Sequence, residues 1–260
     1  MGTIVSGAPP DTSSTGNSWT VDDLGSAVRD VTPPDLKAEM TLLFLPCEPH
    51  GDDQTLSERY CAVASDEERS RACRMVKLRD RVRFLRGRAF RRYCAAQALG
   101  PTRARSSVQF AQTTKGRPYL PELPEVWFSF SGSETGHLAA WSGTHAVGVD
   151  IEDDARASSA LELARHYFSV AEADAVSRTE PEVRGRTFLR LWTLKEAALK
   201  SVGEGLPYGL DAFQFEMTPT LRVVRAPAGF GGPGGMHARL IELRGADGAL
   251  ILRERLSTWV

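Results

Sequence analysis

Apolar and polar positions divide the chain into short strands and amphipathic helices. Met40-Thr41-Leu42-Leu43-Phe44-Leu45 is an apolar run of strand length, closed by Pro46 and by Pro49-His50-Gly51. Ser65-Asp66-Glu67-Glu68 has the form of a capping box and opens a helix through residues 69–75. A second helical pattern covers 79–99, with Val82, Phe84, Leu85, Phe90, Tyr93 and Leu99 available for a core and Gly100-Pro101 as its stop. Residues 126–131 and 137–142 read as a hairpin around the small-residue loop Ser131-Gly132-Ser133, and 147–152 as the next strand. Residues 161–168 are helical in pattern, and Ser169-Val170-Ala171-Glu172 is a second capping box. A long helix over 185–202 follows, ended by Gly203-Glu204-Gly205-Leu206-Pro207. Beyond it, 212–217, 221–225, 237–243 and 250–259 read as strands, and the Gly/Pro-rich 229–235 as a mobile loop.

The long helix and the strand 147–152 carry the candidate chemistry. Phe188, Leu191, Trp192 and Leu199 give the helix an apolar face, and Lys195, Glu196 and Lys200 crowd its second half. Glu196 and Lys200 are four apart and therefore neighbours on its surface, which alone describes an ordinary solvated pair. In Gly148-Val149-Asp150-Ile151-Glu152, strand periodicity puts Asp150 and Glu152 on one face. Three carboxylates on two elements make a hard-oxygen site suited to Mg²⁺, and lysines beside them suit phosphate. Together they point to phosphoryl transfer.

Composition narrows the class. The chain has 260 residues, 42% hydrophobic and 25% charged, with a net charge of −1, as in an ordinary globular protein. The four cysteines show no zinc spacing, which predicts reduced thiols in a reducing, cytoplasmic setting. No apolar run is long enough for a membrane span, and the N-terminus lacks the pattern of a signal peptide. Residues 1–37, rich in Gly, Pro, Ser and Thr, are expected to form a mobile or loosely docked arm. The rest divides into halves of comparable make-up, 38–145 and 146–260.

Charge is uneven along the chain. The span 69–92 holds ten arginines and Lys77 against the single acid Asp80. A solvated basic helix is the simplest reading, and an anion site the functional one. Nucleic acid would be the generic partner of such a span. No nucleic-acid-binding motif and no stacking platform of interleaved aromatics accompany it, and a small polyphosphate fits with fewer cations.

In order, Gly148-Val149-Asp150-Ile151-Glu152, Phe168-Ser169-x-x-Glu172, Phe188-x-x-Leu191-Trp192-Thr193-x-Lys195-Glu196-Ala197-x-x-Lys200 and Gly203-x-Gly205-Leu206 resemble the surfactin-type 4′-phosphopantetheinyl transferases. The basic segment 65–83 and the turn Lys115-Gly116-Arg117-Pro118 are similar to upstream motifs of that family. The resemblance implies an α+β fold of two similar halves related by a pseudo-twofold, with the active site in the cleft between them. It implies transfer of 4′-phosphopantetheine from coenzyme A to a serine of an apo acyl or peptidyl carrier protein, by a monomer. Asp150, Glu152 and Glu196 resemble the ligands of Mg²⁺ or Mn²⁺, and Lys195 and Lys200 would lie along the pyrophosphate, Lys200 stabilising the leaving group. Arg71, Arg83, Lys115 and Arg117 resemble positions that hold the nucleotide end, with Ser131 and Ser133 offering hydroxyl or N–H groups. Glu172 stands where the family has its proposed general base, although a capping box already accounts for that carboxylate. An acidic carrier helix would meet a surface along residues 157–168.

Two departures mark the chain. Gly132 stands where the family has a histidine that helps hold a coenzyme A phosphate, with Glu134 following, and Arg117 stands where lysine is common. Restoring histidine at position 132 is therefore expected to tighten coenzyme A binding. Two other classes remain open on the sequence: a coenzyme A- or nucleotide-binding protein without turnover, and a nucleic-acid-binding module. Neither needs Asp150, Glu152 and Glu196 together.

Overall fold

The computed structural model describes residues 20–47, 52–100, 108–153, 159–203 and 208–255. After the short β1 (Arg29–Asp30), its elements fall into two runs of the same order. The first is β2 (Thr41–Pro46), α1 (Asp53–Cys61), α2 (Asp66–Cys73), α3 (Leu78–Leu99), the small hairpin β3 (Ala111–Gln112) and β4 (Pro118–Tyr119), β5 (Trp127–Gly132) and β6 (Gly136–Ser142). The second is β7 (His145–Asp153), α4 (Ala160–Tyr167), α5 (Val170–Arg178), α6 (Pro181–Val202), the small hairpin β8 (Gln214–Glu216) and β9 (Arg222–Arg225), β10 (Met236–Leu243) and β11 (Ala246–Glu254). In the first run β2 pairs with β6 and β6 with β5; in the second β7 pairs with β11 and β11 with β10. All four ladders are antiparallel, so the α+β topology is repeated.

Strand alternation builds the layers. On β2 and β6, Leu43, Leu45 and Ala139 face α1 and α3, packing with Leu56, Tyr60, Leu85 and Phe90. On the opposite faces, Leu42, Phe44, Leu138 and Ala140 meet Val147, Val149 and Ile151 of β7 and Leu250 and Leu252 of β11. The remaining face of the second sheet, with Ala249 and Ile251, packs on Leu191, Leu194 and Ala198 of α6. The order is helices, sheet, sheet, helices, and the two sheets share one apolar layer.

Both sequence capping boxes form. Ser65 Oγ accepts from the Glu68 N–H at 3.2 Å and Glu68 Oε2 accepts from the Ser65 N–H at 2.9 Å; Ser169 and Glu172 repeat this at 3.3 and 3.0 Å. Gly203 closes α6 at φ 73°, in the left-handed region open to glycine.

Several expectations change. Part of the arm docks: Val21 and Leu24 are buried and β1 pairs with β2, while residues 1–19 lie outside the described part. Helix α1, not legible as an apolar pattern, is set by its cap, where the Asp52 carboxylate accepts from the N–H groups of Gln54 and Thr55. Helix α6 begins at Pro181, a residue suited to a first helical turn. The 229–235 segment holds parts of two 3₁₀ turns and buries Phe230. The final strand spans 246–254 rather than 250–259. Pro49-His50-Gly51, the 204–207 turn and Ala157 lie outside the described residues.

Candidate active site

Gly148 sets the site. It lies on the β7 face that turns to α6, two residues before Asp150. A Cβ there would stand 1.9 Å from the Ala197 carbonyl oxygen and 2.6 Å from the Ser201 N–H nitrogen. Only glycine lets the α6 backbone lie this close to the strand. The close approach brings Lys200 onto Asp150, with Nζ 2.7 Å from Oδ1. The Ser131 hydroxyl of β5 donates to the same oxygen at 2.7 Å, and Ser129 Oγ accepts the Val149 N–H at 3.0 Å, so β5 is joined to β7 at the same point. Asp150 Oδ2 is buried without a hydrogen-bond partner.

Glu196, half-buried on α6, has its carboxyl pushed up by burial and by Asp150 and Glu152, with Lys200 acting against them. Three acids therefore feel one another, and one holds a partnerless buried oxygen. Among the described residues no three His, Cys, Asp or Glu side chains converge closely enough to hold a metal ion in this arrangement. The donor set still fits a hard cation: all oxygen, mutually repelling, with Oδ2 of Asp150 unsatisfied. Closing it on a cation requires the side chains to turn and Lys200 to leave Oδ1.

Lys200 also lines a cleft. A cavity of about 750 Å³ is bounded by α3, β5, the loop before α3 and Lys200. Its cations are Lys77, Arg83, Arg88, Arg91 and Lys200, against Asp80. A second cavity of about 350 Å³ adds Arg71, and a third of about 210 Å³ adds Lys115 and Arg117. Arg91 lines all three. Its guanidinium lies 4.8 Å from the Phe130 ring centroid, and burial with the neighbouring Arg88 pushes its pKa down to about 10. Arg71 and Arg88 both stack on Phe84, at 5.0 and 4.9 Å, and Arg117 on Trp127 at 3.8 Å, which holds these forks in place before any ligand arrives. Arg88 and Arg91 were not singled out from the sequence; their position on the α3 face that carries Phe84 is the signal that was there.

The basic span thus has two uses. Arg71, Arg83, Arg88 and Arg91 face the cavities. Arg86 and Arg92 are buried, Arg86 donating to the Pro46 carbonyl and Arg92 pairing with Glu68 at 2.7 Å. Arg69 and Arg81 donate to carbonyls at the ends of α1 and α2.

Three site expectations meet a different environment. Lys195 has no exposed surface; its Nζ pairs with Glu172 Oε2 at 2.8 Å and donates to the carbonyls of Leu210 and Phe213. Glu172, 2% exposed, also accepts from the Ser169 hydroxyl and the Phe215 N–H. Neither residue lines any of the cavities described, so the expected pyrophosphate lysine and general base sit in the core. Ser133 is buried in the β5–β6 turn, where its Oγ accepts from the Thr135 N–H. The turn's N–H groups at Glu134 and Thr135 already donate to the Asp153 carboxylate, at 2.7 and 3.0 Å. The anion that loop holds is the protein's own.

Sequence comparison bears on this arrangement. A family model for the 4′-phosphopantetheinyl transferase superfamily matches residues 146–240, and one for the 4′-phosphopantetheinyl transferase N-terminal part matches 53–146. A 4′-phosphopantetheinyl transferase of Bacillus subtilis is 30% identical over 160 residues, covering 62% of this chain and 69% of that protein. The chain belongs to the 4′-phosphopantetheinyl transferase family. The 4′-phosphopantetheinyl transferase Sfp of Bacillus subtilis is 28% identical over 164 residues, covering 63% and 71%, and HetI of a Nostoc species 30% over 172 residues, covering 64% and 71%. Within this transferase, the two family models meet where the first topological run gives way to the second, at β7. Among the described residues no helix is long and apolar enough to cross a membrane.

Proposed function

We propose that this transferase moves the 4′-phosphopantetheine group of coenzyme A to a serine hydroxyl of an apo acyl or peptidyl carrier protein and releases adenosine 3′,5′-bisphosphate. The observation that carries the reading is the Asp150–Lys200 contact beside Glu196, opening onto a cleft lined with arginines. The pyrophosphate and 3′-phosphate of coenzyme A are anions that such a cleft attracts. Arg71, Arg83, Arg88, Arg91, Lys115 and Arg117 take the nucleotide end.

Serine Oγ attacks the phosphorus on the pantetheine side of the pyrophosphate, and the bridging P–O bond breaks. Its electron pair leaves on the 5′-phosphate of the nucleotide. Lys200 moves from Asp150 to that oxygen and supplies positive charge there. The serine proton passes to water in the cleft. Asp150, Glu152 and Glu196 would hold Mg²⁺, which when bound neutralises charge on the phosphoryl group. Glu172 and Lys195 position α5 and α6 and touch no substrate in this reading. The exposed Arg165, His166 and Tyr167 of α4, with Val170 just beyond, supply the apolar and basic surface for an acidic carrier. That encounter weakens as salt rises.

The test is intact-mass spectrometry of apo carriers incubated with the protein, coenzyme A and Mg²⁺. A gain of roughly 340 Da, the phosphopantetheine arm expected of this phosphoryl transfer, supports the reading, and its loss with a chelator or in Glu196→Ala supports the metal assignment. A protein that binds coenzyme A yet modifies no carrier would instead be a binder without turnover.

A further inference from the structure

The wall of the cavity of about 750 Å³ contains a histidine packed against two glycines. His137 of β6 lies directly across the ladder from Gly132 of β5. A Cβ at Gly132 would stand 2.6 Å from His137 Nδ1 and 3.1 Å from Cε1. A Cβ at Gly87 of α3 would stand 2.9 Å from Cε1. The ring therefore fills the space that two side chains would otherwise occupy. Gly87, Gly132 and His137 all line the cavity of about 750 Å³.

His137 is 8% exposed, and its Nε2 is buried with no hydrogen-bond partner. A buried polar atom left unpaired is costly, and such atoms mark places where something else binds. The surroundings say what. Burial first, then Arg86, Arg91 and Arg83, hold the ring neutral, with a pKa near 3; a contact with the Arg83 main chain acts the other way. The same cavity is also lined by Lys77, Arg88 and Lys200. The acids near this end are Asp80 and Glu134, both paired with Arg83, at 3.1 and 3.6 Å. An anion entering here offsets the arginines and gives the imidazole an acceptor.

We propose that His137 is a substrate-binding residue, contacting a phosphate group of the coenzyme A donor in the cavity that it lines with Gly132 and Gly87. The assignment rests on the transferase reading above. A half-turn about the Cβ–Cγ bond exchanges Cε1 with Nε2 and turns the partnerless nitrogen toward both glycines. The ring then exchanges its main-chain contact for a charged acceptor, the stronger bond. A histidine at position 132 would bring its Cβ within 2.6 Å of the ring already there, so by itself it is expected here to weaken binding rather than tighten it.

The first experiment reads binding directly. The imidazole nitrogens of ¹⁵N-labelled protein are followed by NMR as coenzyme A is added, with His137→Gln to assign the signal. A shift of the His137 Nε2 resonance is expected; an unmoved resonance at saturating coenzyme A overturns the proposal. In steady-state assays, His137→Val should raise the KM for coenzyme A roughly tenfold with kcat within about twofold, the size of one hydrogen bond to a charged group. Gly132→His alone should also raise KM, and Gly132→His with His137→Val should recover most of the loss. A folded His137→Val protein with unchanged KM, or a folded double variant with no recovery, overturns the proposal. Repeating the titrations with 3′-dephospho-coenzyme A assigns the contact: loss of the effect names the 3′-phosphate, persistence the pyrophosphate. Failure of the wild-type protein to add mass to any carrier would overturn the transferase reading alone, since the NMR titration reads binding without turnover.

Discussion

At the scale of single residues, the same charged side chain means opposite things on two faces of one helix. Phe188, Leu191, Lys195 and Leu199 follow the spacing of a buried stripe, and Lys195 goes into the core with them. Glu196 and Lys200 are rotated off that stripe and reach the site. The spacing was legible, but the motif drew Lys195 toward the phosphate. Its buried pair is also repeated: Lys195 and Arg92 are each the fifteenth residue of a 22-residue helix, paired with the third residue of the capped helix before it, Glu172 and Glu68. A device present in both halves is structural, since the two halves do not share the acidic motif. Lys195→Met should therefore cost about 3–5 kcal/mol of stability, the usual result of stranding one member of a buried pair, with kcat per folded molecule retained. Urea midpoints alongside active-site-normalised rates check this; unchanged stability with a collapsed kcat would return Lys195 to the chemistry. His137 gives a second residue-scale prediction. Its pKa is about 3 when folded and 6.5 as the ordinary value, so the unfolded chain binds the extra proton between those limits. This contribution is fully present above pH 6.5 and is lost as pH falls toward 3. Wild-type urea midpoints should fall more steeply across that window than those of His137→Gln, and parallel curves would disprove it.

At the scale of elements, the strands and long helices follow from apolar pattern and caps, because each is decided by neighbours in sequence. What the pattern does not carry is which elements touch. Ser131 lines the cleft and also donates to Asp150, because β5 runs beside β7. In the turn after it, the N–H groups of Glu134 and Thr135 donate to Asp153 from β7. Both outcomes depend on a strand far along the chain. Gly148 is where such contact is most demanding. Gly148→Ala forces β7 and α6 apart, and overpacking of this kind costs roughly 1–3 kcal/mol. More telling is the function: Asp150 stays on the strand while Glu196 and Lys200 move with the helix. Transfer activity should fall at least about tenfold even under conditions where the variant is fully folded, the cost expected when catalytic groups shift by about an ångström. Coenzyme A binding, proposed to depend mostly on α3 and β5, should change little. Full activity in a folded Gly148→Ala protein would mean that the close approach does not position the site.

At the scale of the molecule, the repeated topology was open to inference from two halves of similar make-up, but its joint was not. The sheets of the two halves bury one apolar layer between them: Leu42, Phe44, Leu138 and Ala140 from one, Val147, Val149, Ile151, Leu250 and Leu252 from the other. Each of these residues is also the back face of a strand whose front face packs on helices. Neither half can expose that layer without leaving its sheet covered on one side only, and an exposed patch of this kind is unfavourable in water. Two repeats of one topology therefore should not behave as two domains. Tryptophans report separately on the halves: Trp141 packs on Phe128 in the first, and Trp192 on Phe168 and Phe188 in the second. In single-tryptophan variants retaining Trp141 or Trp192, urea unfolding followed by fluorescence should give the same midpoint and slope. Ligand adds a sharper form of the test. The basic cleft draws its cations mainly from the first half, yet stabilisation by coenzyme A should raise the Trp192 midpoint as much as the Trp141 midpoint, because a ligand of the native state stabilises the whole cooperative unit. A shift confined to Trp141 would mean that the shared layer does not couple the halves, and that the carboxylates of β7 and the arginines of α3 are brought together only when substrate bridges them.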